Sequence, residues 1–306
     1  MIDDILRRLA ELPGLEGFAE RDRLAYLLYS NRGETRSSVL VFVFAPGEPD
    51  PRAIVKLRRD RESVAREAHT LRRLSLEIPG RVPRVHLTGE IGRWAFVAME
   101  GMAGQPITPW EFETHAGALL RALVEIHGAM RGGMADKATV GAEMLEPLRE
   151  FERVWGSGCA DLALLCRSLR ERVETLRGVG FPVIPQHGDF CLDNVLVGRD
   201  RGVVVLDWEE FATVQLPGYD LVVLFASLVG RNVLEERKLA HLLAESLRVY
   251  AREMGVEARW LGVLVPLSMI RFVLFCAGEE RLEPAELVLS RLRTLAGQGG
   301  LSVIGL

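Results

Sequence analysis

Lysine is nearly missing from this 306-residue chain: of its 38 basic residues only Lys56, Lys137 and Lys238 are lysine, and arginine supplies the rest. None of the three follows a glycine, which excludes a Gly-x-x-x-x-Gly-Lys phosphate loop. The chain also lacks a Gly-x-Ser-x-Gly nucleophile turn and a His-Glu-x-x-His zinc helix. Its four cysteines, Cys159, Cys166, Cys191 and Cys276, show no metal-type pairing, so reduced thiols are expected. Long hydrophobic runs are absent as well. The longest, Leu261 to Phe275, holds Pro266 and Arg271, is too short to span a bilayer, and is expected to be a buried helix interrupted near Pro266. The start, Met1-Ile-Asp-Asp-Ile-Leu-Arg-Arg, has no signal-peptide pattern, so a cytoplasmic protein without membrane contact is expected. A net charge of -4 gives no support for a nucleic-acid partner.

What is present fits a globular enzyme: 48% hydrophobic residues over this length can bury a large core, and the length suggests two lobes. Through Glu100 the pattern is strands with one strong helix; after a Gly/Pro-rich connector it becomes mainly helical. The expected organisation is therefore 1–100, a connector at 101–109, and 110–306. Glu111 to Met130, Asp161 to Arg177 and Leu234 to Met254 read as amphipathic helices, with Met130 to Asp136 a loop.

The most informative run is His187-Gly188-Asp189, with Asn194 five residues after the aspartate and Asp207 thirteen after that. Val195-Leu196-Val197 and Val203-Val204-Val205-Leu206 flank Gly198 to Gly202, a hairpin signature. Antiparallel pairing about that turn brings 194 beside 207, two hard oxygen ligands of the kind magnesium takes when phosphate completes the shell. Asp189 lies in the loop feeding the first strand. Taken singly, each of the three reads as an ordinary turn residue. Together they match a phosphoryl-transfer template in which one aspartate takes a hydroxyl proton while an asparagine and a second aspartate hold magnesium.

A position that keeps lysine against an arginine background points to a need for a compact three-donor ammonium. Lys56 lies in Arg52 to Leu57, an apolar run read as a buried strand, where a lysine without a partner is costly. The candidate partner is Glu67, in a helix whose Val64, Ala68, Leu71 and Leu74 repeat at helical spacing. A snorkelling edge lysine and a solvated helix glutamate are the plainer alternatives.

These residues resemble the aminoglycoside phosphotransferase and small-molecule kinase family over about Tyr26 to Leu224. The resemblance implies an α+β, bilobal protein-kinase-like fold: an antiparallel sheet lobe with one helix, then a larger helical lobe. It implies Asp189 as catalytic aspartate, Asn194 and Asp207 as magnesium ligands, and Lys56 with Glu67 as the phosphate-orienting pair. Trp94 to Gly104 looks like the family's hinge, which would set the Glu100 carbonyl and the Met102 amide against adenine. Tyr219-Asp220-Leu221 resembles the aspartate that braces the catalytic loop, with a helix N-cap as the local alternative. His187 reads as a brace for the loop backbone; the other five histidines carry no motif.

The implied activity is transfer of the γ-phosphoryl group of ATP or GTP, with Mg2+, to a hydroxyl of a small molecule. The rivals are a nucleotide-binding scaffold without turnover and a protein kinase. No activation segment follows Asp207, and Trp208-Glu209 stands where protein kinases have Phe-Gly. Tyr29 to Ser38 departs from the family's phosphate-covering turn, with Gly33 its one glycine and Ser30, Thr35 and Ser37 its hydroxyls. The acceptor is unspecified: Glu209, Glu210, Glu279 and Glu280 could face a cationic substrate or simply be solvated. Cys191, inside the loop, is read as a packing residue or an oxidisable thiol.

Overall fold

The computed structural model describes residues 2–13, 15–19, 24–31, 38–176, 180–198, 202–229, 235–279 and 282–297. It divides the chain into two compact units: Met1–Pro106 with Val195–Glu209, and Ile107–Asn194 with Glu210–Leu306. The fold is mixed α+β, with the five-stranded antiparallel sheet in the first unit and most of the helices in the second.

In the first unit the strands are β1 (Ala25–Asn31), β2 (Ser38–Phe44), β3 (Ala53–Arg58), β4 (Val85–Ile91) and β5 (Trp94–Glu100), ordered β1-β2-β3-β5-β4. Alternation assigns each face a task. Val41, Val43, Ala53, Val55, Leu57, Phe96 and Ala98 form one core with Ile5, Leu6 and Leu9 of helix α1 (Ile2–Ala10) and with Phe18. The sequence reading missed α1, although three fully buried aliphatic side chains on one stripe are worth about 1.5–3 kcal/mol each in transfer energy. Lys56 belongs to the opposite face. Helix α2 (Arg61–Glu77) begins where Asp60 accepts from the Glu62 and Ser63 backbone N–H groups, and it buries Val64, Ala68, Leu71 and Leu74 as its spacing predicts.

A second, three-stranded sheet joins β6 (Gln105–Pro106), β7 (Val195–Val197) and β8 (Val203–Val205). The β7–β8 hairpin forms as expected and closes with Gly198 N–H donating to Gly202 O at 2.8 Å; residues 199–201 lie outside the described residues. In its register Val195 pairs with Val205 and Val197 with Val203. β8 ends at Val205, so Leu206 is not in the strand, and Asp207 beyond it adopts φ 58°. The hairpin is tied within its unit by Val205 N–H to Arg81 O at 2.8 Å.

The second unit contains α3 (Phe112–Met130), α4 (Lys137–Val140), α5 (Glu146–Trp155), α6 (Ala160–Leu176), α7 (Tyr219–Leu228), α8 (Glu236–Met254), α9 (Ala258–Gly278) and α10 (Leu282–Gly297). Helix α9 corrects two expectations. It runs 21 residues without a break at Pro266, and at a mean hydropathy of 2.0 it is long and apolar enough to cross a membrane, with 61% of its apolar window buried. Packing against α5, α6, α7, α8 and α10 outweighs the ~3 kcal/mol that a helix-interior proline costs.

Candidate active site

In the first unit Lys56 is 4% exposed and lies among three carboxylates. Its Nζ donates to Glu67 Oε1 at 3.0 Å, Asp207 Oδ1 at 2.6 Å and Glu209 Oε2 at 3.2 Å. The expected Lys56–Glu67 pair is therefore present, and Asp207 joins it from the end of β8. Glu209 is a correction. It is neither a solvated charge nor a group held out for a cationic substrate, because it pairs with Lys56 and with Arg58 Nη2. Arg58 was legible as a buried site residue only through strand alternation, two positions beyond Lys56 on the same face.

Burial opposes the Lys56 charge, but Glu67, Asp207 and Glu209 outweigh it and hold the ammonium above the ordinary lysine range. Burial pushes the Glu67 carboxyl above the usual carboxylate range; Lys56 pulls it down, while Asp207 and Glu209 add to the rise. Glu67 Oε2 is buried without a hydrogen-bond partner. Three carboxylates meet Lys56 here, and one of them, Glu209, also meets Arg58. Asp207 holds a left-handed backbone rarely adopted by residues other than glycine, and such strain concentrates at functional positions. The following turn is fixed by Trp208 Nε1–H donating to Val205 O at 2.9 Å.

The strand registers also place apolar residues beside Lys56. On its face Leu27, Phe42, Ile54 and Met99 stand opposite one another across β1, β2, β3 and β5, and Tyr29, Leu40 and Val97 flank Lys56 in the adjoining row. Leu27 and Tyr29 are 58% and 57% exposed. Glu100 ends β5 and spends its side chain on Arg84, at 3.0 and 3.1 Å. Its neighbour Gly101 donates to Arg52 O at 3.0 Å and lies so close to β3 that an added Cβ would be 1.8 Å from Pro51 O. Met102 follows, half-buried, in the connector. Of the phosphate-covering segment, Ser30 is in β1, whereas Gly33, Thr35 and Ser37 lie outside the described residues.

In the second unit the loop carrying Asp189 is held from below. Asp220, fully buried in the first turn of α7, accepts from His187 N–H at 2.6 Å and Gly188 N–H at 3.0 Å. It is thus a brace, and Gly218 occupies the N-cap. His127, one of the histidines without a motif, proves fully buried between Asp220 Oδ2 at 3.0 Å and Tyr250 Oη at 2.7 Å. Burial works against the Asp220 charge, but the His127 hydrogen bond and the Gly188 N–H keep its carboxyl below the usual range. Gly188 is at φ 94°, and a Cβ there would be 2.6 Å from Glu210 O, so glycine is required. His187 Nδ1 accepts the Asp189 N–H at 3.3 Å, in keeping with a bracing role.

Asn194 is brought to Asp189: its Nδ2 donates to Asp189 O at 2.9 Å and to Oδ2 at 3.4 Å. That use of the amide nitrogen leaves the carboxamide oxygen as the atom type suited to a hard cation. Burial, followed by Asp189 and Asp193, pushes the Cys191 thiol up to about 12, which makes it a packing group more than a reactive thiolate. Glu279 ends α9 as its C-cap, and Glu280 lies outside the described residues.

The sequence matches the model of the phosphotransferase enzyme family over residues 36–261. No curated protein sequence matches the chain significantly. Among solved structures, aminoglycoside phosphotransferase APH(4)-Ia is similar at a TM-score of 0.60 and 15% identity, with 98% of this chain and 100% of that chain covered. A thermostable mutant of that enzyme, in ternary complex with AMP-PNP and hygromycin B, is similar at a TM-score of 0.58 and 14% identity, with 96% of this chain and 98% of that chain covered. A choline/ethanolamine kinase family protein from Mesorhizobium loti is similar at a TM-score of 0.55 and 18% identity, covering 96% and 94% of the two chains.

Proposed function

Since the chain belongs to the phosphotransferase enzyme family, we propose that it transfers the γ-phosphoryl group of ATP or GTP to a hydroxyl of a small molecule. The observation that carries this reading is the buried Lys56 ammonium held between Glu67 of α2 and the strained Asp207. A lysine kept against an arginine background, desolvated and charged, is the group that orients nucleotide phosphates in this chemistry.

The apolar row of Leu27, Phe42, Ile54 and Met99 supports the base of the nucleotide. The Glu100 carbonyl and the Met102 amide are the proposed backbone contacts to it, which Gly101 permits by letting the connector run close to β3. Asp189 is the proposed catalytic base: its carboxylate orients the acceptor hydroxyl and takes its proton as the new phosphate ester bond forms. Asp220 keeps that loop rigid, so positioning supplies much of the rate.

Magnesium fits the residues present. Asn194 and Asp207 are the proposed ligands, and each offers a hard oxygen donor of the kind the ion takes. Bound there, the ion would neutralise charge on the phosphates. We propose a cytoplasmic location with this reading, as ATP, GTP and Mg2+ are intracellular solutes.

For the acceptor we favour an alcohol that also bears an amine. The similar structures include an enzyme complexed with hygromycin B and a choline/ethanolamine kinase family protein. The test is a transfer assay with ATP and GTP, each against aminoglycosides, choline, ethanolamine, sugars and amino alcohols. Transfer to at least one acceptor, slowed at least ~10²-fold by Asp189→Ala, is expected. Nucleotide binding without transfer to any member would leave a scaffold, and the proposal would be wrong.

A further inference from the structure

We propose that Glu209 is a resident counter-ion of Lys56 that yields its place to a nucleotide phosphate oxygen, so that its carboxylate sets the affinity of the site for nucleotide. This rests on the reading of the first unit as a nucleotide site and goes beyond it by assigning a role to a residue outside the catalytic and metal set.

An ammonium carries three N–H donors. Those of Lys56 face three different carboxylates, at 3.0 Å for Glu67, 2.6 Å for Asp207 and 3.2 Å for Glu209. The donor set is full, so a phosphate oxygen can bind Lys56 only if one carboxylate leaves. Glu67 is the costly one to release. Its side chain is 2% exposed, and among the described residues Lys56 is its one ion-pair partner. Release would strand a buried charge. Asp207 makes the shortest of the three contacts.

Glu209 makes the longest contact and has a second cation within reach. Its Oε2 also meets Arg58 Nη2, and the Arg58 side chain is 10% exposed. Arg58 has unused capacity on that side. Its Nη1 donates to Ser63 Oγ at 3.2 Å, while its Nε is buried with no hydrogen-bond partner. A Glu209 carboxylate that let go of Lys56 and turned onto Arg58 would accept from both Nε and Nη2, the fork that guanidinium offers a carboxylate. The orphaned Nε would be satisfied, one N–H of Lys56 would be released to phosphate, and neither Glu209 nor Arg58 would lose its partner. The same carboxylate carries a negative charge that repels an incoming polyphosphate.

The test is ATP affinity by titration calorimetry, without magnesium and without acceptor, so that no turnover is read. Glu209→Gln removes the competing charge at nearly constant shape, and the Kd for ATP is expected to fall at least ~3-fold. Arg58→Met removes the alternative partner and is expected to raise Kd at least ~3-fold by locking Glu209 onto Lys56. In the double variant Glu209→Gln/Arg58→Met the Arg58 effect is expected to vanish. An unchanged or raised Kd in Glu209→Gln, with wild-type binding intact, overturns the counter-ion role alone. So does an Arg58→Met effect that persists in the Glu209→Gln background, since Arg58 would then attract phosphate directly. If Glu209→Gln proves unfolded by its melting curve, Arg58→Met decides: an unchanged Kd overturns the inference. Wild-type protein that binds neither ATP nor GTP removes the nucleotide reading itself.

Discussion

Asp220 Oδ2 accepts the backbone N–H of His187 at 2.6 Å, joining the first turn of α7 to the loop that carries Asp189. The same carboxylate takes Gly188 N–H and His127 Nε2, so two buried backbone donors depend on one fully buried group. Asp220→Asn would turn an amide NH2 toward groups that are themselves donors. A loss of about 3 kcal/mol in urea unfolding at pH 7 is expected, the scale of breaking a buried, charge-assisted network. The pH sign is definite. The folded-state carboxyl lies below its ordinary value, so its contribution is complete above the unfolded value of about 3.9 and fades as pH falls through the folded value. The gap between wild type and Asp220→Asn should therefore shrink below about pH 4. A gap constant from pH 7 to pH 3 would contradict the assignment.

Asp189→Ala removes the proposed base but keeps the backbone carbonyl that anchors Asn194 at 2.9 Å. The loop should keep its shape, nucleotide Kd should stay within ~2-fold, and kcat should fall at least ~10²-fold, the scale for losing a positioned base. Steady-state phosphotransfer and calorimetry on the same preparation check the two halves. Near-normal turnover would defeat the role of Asp189.

What the sequence showed and what it hid divide by the range of the interaction. The hairpin from Val195 to Val205 and the helix carrying Glu67 were legible because turn formers, alternation and helical spacing act over a few residues. Lys56 with Glu67 was legible because a lysine in an apolar run demands an anion, and the nearest helix offered one. Glu209 was not, because its partners Arg58 and Lys56 come from a strand far back in the chain, and nothing local separates a carboxylate that folds onto them from a solvated one. His127 was hidden likewise: its mates Asp220 and Tyr250 come from two later helices. The left-handed backbone of Asp207 was hidden too, because a positive φ at a residue other than glycine is imposed by its surroundings and not by local preference.

Lys56→Met should cost more stability at alkaline than at acidic pH. Without the ammonium, Glu67 loses the cation that pulls its carboxyl down, and burial holds it further above the usual carboxylate range. An acid raised in the folded state binds more protons there than in the unfolded chain, so its contribution to stability is lost as pH climbs through that interval. Each unit of upward shift on a buried carboxyl corresponds to about 1.4 kcal/mol. Urea unfolding at pH 5 and pH 8 should show the larger destabilisation at pH 8; the reverse order would mean that Lys56 does not hold the Glu67 carboxyl ionised.

Gly101→Ala should damage the first unit far out of proportion to one methyl group. The new Cβ would meet Pro51 O at 1.8 Å, and the obstacle is backbone that cannot turn aside. A loss of more than about 2 kcal/mol is expected, with a weaker nucleotide Kd as the connector is forced away from β3. Gly133→Ala, where a Cβ meets nothing within 4 Å, serves as the control and should stay within about 0.5 kcal/mol. Similar melting curves for the two variants would show that the connector can move off β3 at little cost.

Cys191 should resist alkylation despite being half-buried and not fully enclosed. Its thiol is pushed up to about 12, first by burial and then by the charges of Asp189 and Asp193. Because the thiolate is the nucleophile, iodoacetamide at pH 8 should label Cys191 at least ~10²-fold more slowly than an ordinary exposed cysteine. The Asp189→Ala variant supplies the internal check. Removing one of the two repelling carboxylates should lower the Cys191 pKa and speed its labelling, while Cys159, on a different segment, keeps its rate. Peptide mass spectrometry over a time course reads all four cysteines at once. Equal labelling of Cys191 in wild type and variant would show that the Asp189 charge does not reach the thiol, and fast labelling in wild type would place Cys191 among reactive thiols.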